Sequence, residues 1–133
     1  MNAHAALQAG LKAALDGHAP LKAGVTAVFD APPLRAARPY ALLEDPVLAD
    51  WSTKDMAGRE GRIAVQLFDS GEAPVRLRGL IGEAEAAIEA VARDLGGGWR
   101  VVSLGLIRSR VFRESESKWA AMSEWRVRML RES

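Results

Sequence analysis

One apolar stripe sets the terms for everything around it. Leu77, Leu80, Ile81, Ala84, Ile88, Val91, Ala92 and Leu95 recur at helical spacing, while Arg76, Glu83, Glu85, Glu89 and Arg93 lie largely off that face. The spacing predicts a helix over residues 73–95. Pro74 suits its first turn, Glu72 complements its dipole, and Gly96-Gly97-Gly98 supplies a left-handed residue to end it. A helix apolar on one side only must lie on another layer, and the segments flanking this one read as strands.

Before the stripe, Leu7, Leu11, Ala14 and Leu15 predict a first helix over residues 3–16, closed by Gly17 and Pro20. Val25–Phe29 is short and β-branched, a first strand bounded by Gly24 and Asp30-Ala31-Pro32-Pro33. Pro39–Asp50 reads as a second strand. Pro46 cannot donate to a ladder, so that strand lies at an edge, is bulged or splits in two. Trp51–Arg62 is polar and reads as a long loop. Ile63, Val65 and Leu67 then alternate as a third strand.

After the glycines, Trp99–Phe112 and Trp119–Leu130 form an antiparallel hairpin joined by the polar turn Arg113–Lys118. The loop length sets Trp125 near Leu106 and Trp119 near Phe112. The element order is α-β-β-β-α-β-β, with a right-handed crossover through the long helix. The expected fold is therefore α+β: a mostly antiparallel sheet of four to five strands with two helices packed on one face, in a single domain over residues 1–133.

Composition narrows the function. A formal charge of +1 gives little long-range attraction to nucleic acid or anionic lipid. The absence of cysteine excludes disulfides, thiolate catalysis and Cys-based metal sites, and fits a reducing compartment. No apolar run approaches the ~20 residues that span a bilayer, so no membrane partner is expected, and a soluble protein, intracellular where it is made, is.

The candidate chemistry is sparse. His4 and His18, the two histidines, flank the first helix and do not converge as metal ligands or a general base. Glu44, Asp45, Asp50 and Asp55 read as solvated loop carboxylates rather than an acid/base pair. Ser52, Thr53, Ser115 and Ser117 have no histidine nearby in sequence to activate them. The triple glycine follows a helix, where the dipole is negative, so it does not read as a phosphate cradle. No catalytic residue, cofactor or metal is expected.

The terminal hairpin is richer. Arg108, Arg110, Arg113, Arg126, Arg128 and Arg131 are interleaved with Phe112, Trp119 and Trp125. Three readings suit that pattern: a solvated face met by Glu114, Glu116, Glu124 and Glu132, a protein interface, or a nucleic-acid surface. Four tryptophans, three of them on this hairpin, also suit interface anchors as well as core.

The strand Pro39-Tyr40-Ala41-Leu42-Leu43, the stretch Asp50-Trp51-Ser52-Thr53-Lys54, the strand Arg62–Phe68, the helix Glu83–Leu95 and the closing Val101-Val102-Ser103-Leu104 resemble the small tail-completion, or tail-terminator, proteins of siphophages, prophages and gene transfer agents. The opening Ala3–Pro33, a helix, a strand and a Pro-containing loop, matches the same pattern. The resemblance implies a structural virion protein, not an enzyme, assembled in the bacterial cytoplasm. Its subunits would form a ring, typically a hexamer, at the head-proximal end of the tail tube. The implied partners are further copies of itself, the major tail tube protein and the head–tail connector or stopper, with DNA only passing through the lumen.

On that reading the Asp50–Arg62 loop (Trp51, Lys54, Asp55, Arg59) and the turn (Arg113, Glu116, Lys118), together with Arg126 and Arg128, are the candidate interface residues. Two rivals are an adaptor that binds a protein partner by sheet-edge pairing and a nucleic-acid-binding domain using the Arg/Trp hairpin.

Overall fold

The computed structural model describes residues 1–132. In chain order its elements are α1 (Ala3–Asp16), α2 (Ala19–Gly24), β1 (Val28–Phe29), β2 (Tyr40–Leu43), β3 (Val47–Asp50) and β4 (Gly58–Ser70). They continue with α3 (Val75–Glu89), β5 (Asp94–Gly96), β6 (Trp99–Ser115) and β7 (Lys118–Arg131). The fold is α+β as expected, but it holds seven strands rather than four to five and three helices rather than two among the described residues.

The sheet order is β1-β2-β4-β7-β6-β5, with β3 beside β4 on the same edge as β2. Only β1 and β2 pair in parallel. Pro46 lies at the point where the predicted second strand divides. β2 pairs with Val65–Phe68 of β4 and β3 with Arg59–Arg62. The α3 segment carries the chain from β4 toward β6, which runs parallel to β4 with β7 between them.

Alternation decides the faces. Ile63, Val65 and Leu67 of β4 lie opposite Trp125, Ser123 and Ala121 of β7 and share the buried side. Leu7, Leu11 and Leu15 of α1, Leu21 of α2, and Leu77, Ile81 and Ile88 of α3 complete one core with them. All three helices thus cover one face, and the other is free of helix.

Three local expectations change. Pro20 does not merely close α1; it sits in the first turn of α2, where its missing N–H has no partner to lose. The helix of the apolar stripe ends at Glu89, so Val91 packs in the core from beyond the helix and Asp94–Gly96 pairs with the start of β6. The triple glycine is consequently the turn between β5 and β6 rather than a helix terminator. Gly96, Gly97 and Gly98 have φ of +85°, +63° and +84°, a run that glycine alone adopts without strain. No helix is long and apolar enough to cross a membrane among the described residues.

Candidate interaction surfaces

The interface residues expected from the sequence fall in three places, two of them at opposite ends of the sheet. The register of β4 against β7 runs from Gly58↔Leu130 to Ser70↔Lys118. The 13 residues of β4 hold these ends about 40 Å apart.

At the first end is the loop Trp51–Ala57 between β3 and β4. It is shorter than predicted because Gly58–Arg62 is strand, held by β3 on one side and β7 on the other. The hydroxyls in this loop serve its backbone. Thr53 Oγ1 accepts the Met56 N–H at 2.9 Å, and Ser52 Oγ accepts the Gly58 N–H at 3.0 Å while donating to Asp50 at 2.6 Å. The Ser52 hydroxyl bond holds the Asp50 carboxyl below its usual range, with Arg59 adding to the effect. Arg59 pairs with Asp50 at 3.4 Å and lies 5.9 Å from the Trp99 ring centroid; Arg128 lies 5.1 Å from that of Trp51. Lys54 and Asp55 stand exposed at the loop apex.

At the second end is the β6–β7 tip. The turn is only Glu116-Ser117, because paired strand continues through Ser115 and resumes at Lys118. The Arg113 guanidinium covers Trp119 at 4.6 Å from the ring centroid. Trp119 Nε1 donates to the Gly71 carbonyl at 3.2 Å, and Gly71 N–H to that of Ser117 at 2.8 Å. Arg38 joins the tip by pairing with Glu114 at 3.3 Å while donating to the Asp69 carbonyl at 2.9 Å. The tip is therefore tied down, with Glu116 and Lys118 exposed at its extremity.

Between the ends lies the helix-free face of the sheet. The register brings Arg108 and Arg110 of β6 to the same face as Arg126 and Arg128 of β7 and Arg62 of β4. Glu124 meets Arg108 at 3.1 Å and Arg62 at 3.8 Å, and Glu60 meets Arg128 at 3.2 Å. Of the expected counter-charges, only Glu124 serves this face. Glu114 binds Arg38 and Glu132 binds Arg100. Arg126 and Arg110 have no carboxylate partner among the described residues, though Arg110 stacks on Phe112 at 4.5 Å.

The hairpin register agrees with the sequence at Trp125↔Leu106. Trp119 faces Arg113, one residue from the expected Phe112, which pairs with Ala120 instead, after a bulge between Leu106 and Arg108. Trp99 and Trp125, considered as interface anchors, are core residues at 3% and 2% exposure. Sequence reasoning missed Arg38, Glu60 and Arg62, whose partners lie on distant strands. No group of three or more His, Cys, Asp or Glu side chains that could hold a metal ion occurs among the described residues.

Against this geometry, the family model described as "Tail completion protein gp17" matches residues 6–129. The chain belongs to the tail completion protein family. It is accordingly a structural component of a phage-type virion tail, not an enzyme. Among solved structures, the tail completion protein is similar to a chain from the "Virion of native gene transfer agent (GTA) particle". The two share 28% identity with a TM-score of 0.74, over 98% of this chain and 99% of that one. A search of curated proteins gave no match.

Proposed function

We propose that this protein is a tail terminator. Copies of it form a ring, six-fold in the simplest reading, on the head-proximal end of the tail tube, stop tube polymerisation and present a surface to the head connector. The observation that carries this reading is the separation of the two polar loop clusters by the whole length of β4. A subunit between tube and connector needs two distinct axial surfaces, and this chain has exposed charged groups at both ends of one rigid sheet. The structural likeness to a chain of a gene transfer agent virion supports the same placement and makes a phage, prophage or gene transfer agent particle the setting. The nucleic-acid reading is the weaker one, because Glu60 and Glu124 already meet three of the five arginines on the helix-free face.

Electron microscopy of particles from a strain lacking the gene tests the proposal. Tailless heads beside tails of uncontrolled length are expected, and normal particles would refute it. Complementation with Lys54→Glu should lower particle yield without lowering the melting temperature of the purified chain. Equal loss of both would mean a folding defect instead.

A further inference from the structure

The two edges of this sheet differ sharply. β5 covers only the first residues of β6, through Asp94↔Arg100 and Gly96↔Trp99, and the Val101 N–H reaches the Arg93 carbonyl at 2.8 Å. From Val102 to Ser115 the outer side of β6 has no strand partner among the described residues. An edge this long is a template for another strand, and proteins usually blunt one with charges, bulges, proline, a covering loop or short length. β6 carries three bulges and Arg108, Arg110 and Arg113, which limit indiscriminate pairing, but no proline, and Val102 and Leu106 are 45% and 50% exposed.

On the opposite side of the sheet, β3 pairs only with β4, so its outer side is also open. Val47 on it is 75% exposed. β3 runs antiparallel to β4, β4 to β7, and β7 to β6, so β3 is antiparallel to β6. A second copy placed beside the first by rotation about a ring axis therefore offers its β3 to β6 in the antiparallel sense. The charges match as well. Glu44 and Asp45 lead into β3, while β6 presents Arg108 and Arg110, the latter without a carboxylate partner.

We infer that the outer edge of β6 in one copy pairs with β3 (Val47–Asp50) of the next, joining the sheets of neighbouring subunits around the ring. This rests on the ring reading and specifies its contact. Such a contact is heterologous, the kind that closes into a ring when the rotation permits. With only four residues in β3, one junction is marginal in isolation. Free subunits therefore stay apart until the tube end collects them and closure makes the junctions mutually supporting.

The absence of cysteine makes a direct test clean. Within one subunit β3 and β6 are three strand spacings apart, about 14 Å, beyond the roughly 7 Å that a disulfide spans. Ala49→Cys is combined in turn with Ser103→Cys, Gly105→Cys, Arg108→Cys and Arg110→Cys, all on the helix-free face, and assembled particles are oxidised. At least one pair should give a ladder of linked multimers, with neither single variant proceeding beyond a dimer. In unsubstituted particles, the outward-facing amides of 47–50 and of one stretch of about four residues within 102–113 should exchange at least about tenfold more slowly than in the free chain.

No ladder from any pair that assembles overturns the inference, and where the cysteine variants assemble poorly, outer-edge amides of 47–50 or of β6 that all stay fast in unsubstituted particles overturn it. The copy number per particle, from labelled-peptide mass spectrometry, separates the two levels. One copy refutes the ring itself, whereas several copies without the ladder refute only this edge contact.

Discussion

Asp69 is the one buried side-chain carboxylate among the described residues, at 4% exposure, and its loss should be felt at the tip end of the sheet. It accepts from Arg76 Nε at 2.9 Å, from a second Arg76 nitrogen and from the Ser70 N–H at 2.8 Å. Asp69→Asn keeps the shape but turns an acceptor into a donor facing the guanidinium. Hydrogen bonds to charged groups contribute roughly 1.5–3 kcal/mol each. The Arg76 side chain is 58% exposed, so it returns to water when released and the cost falls toward the lower end. A loss of about 2 kcal/mol, or about 8 °C in melting temperature at this chain length, is expected.

Arg76→Gln is the harsher change at pH 7, about 3 kcal/mol, because it leaves a buried carboxylate with only the Ser70 N–H and the more distant Arg38 charge. The pH dependence separates the two variants. Burial alone would raise the Asp69 pKa, but the Arg76 hydrogen bonds, the Ser70 N–H and the charges of Arg76 and Arg38 outweigh it and hold it below its ordinary value. A carboxyl with a depressed folded pKa contributes stability above its unfolded value of about 3.9, and loses it as pH falls through the folded pKa. Without Arg76, burial is largely unopposed and the folded pKa rises. The deficit of Arg76→Gln relative to the unsubstituted protein should then shrink from pH 7 to pH 4. Thermal melts followed by circular dichroism at pH 7, 5.5 and 4 decide this. A deficit that grows toward pH 4, or an Asp69→Asn melting temperature within about 2 °C of the parent, would refute the reasoning.

Gly61→Ala should destabilise by about 1–3 kcal/mol, because its Cβ would run into the Val47 carbonyl oxygen; a lower melting temperature with faster proteolysis in 51–57 would show β3 lifting off. Ser123→Ala removes the acceptor, 2.8 Å away, of the buried Trp125 Nε1, and should lower the chemical denaturation midpoint by the equivalent of about 1–3 kcal/mol; an unchanged midpoint would mean that another group accepts the indole N–H.

How much of this was legible in the sequence depends on what each residue is read against. Ile63, Val65 and Leu67 announced a strand because one side of it is buried beneath helices. Gly58–Arg62 belongs to the same strand and gave no such signal. It pairs with β3 and carries Arg59, Glu60 and Arg62, none of which is buried, so its strand identity comes from hydrogen bonding to distant residues rather than from a hydrophobic pattern. Asp94–Gly96 was hidden for a related reason. Leu95 continues the helical spacing of α3 and packs on the core from a strand instead, since pairing with the start of β6 competes with another helical turn. Pro46, by contrast, was informative because its chemistry is local: the missing donor falls at the break between β2 and β3.

The candidate surface residues divide by whether the subunit already uses them. Lys54, Asp55, Glu116, Lys118 and Arg126 have no charged partner among the described residues. Natural chains need charge for solubility, but two exposed opposite-sign pairs at the two extremities of a 13-residue strand are placed where an axial partner would meet them first. Arg59, Arg113 and Arg128 are different, because each covers a tryptophan ring and two of them also hold a carboxylate. A defect after changing those three mixes folding with assembly. A defect after changing Lys54 or Lys118 reports on assembly alone, and the end of the sheet at which it arises says which axial surface was lost.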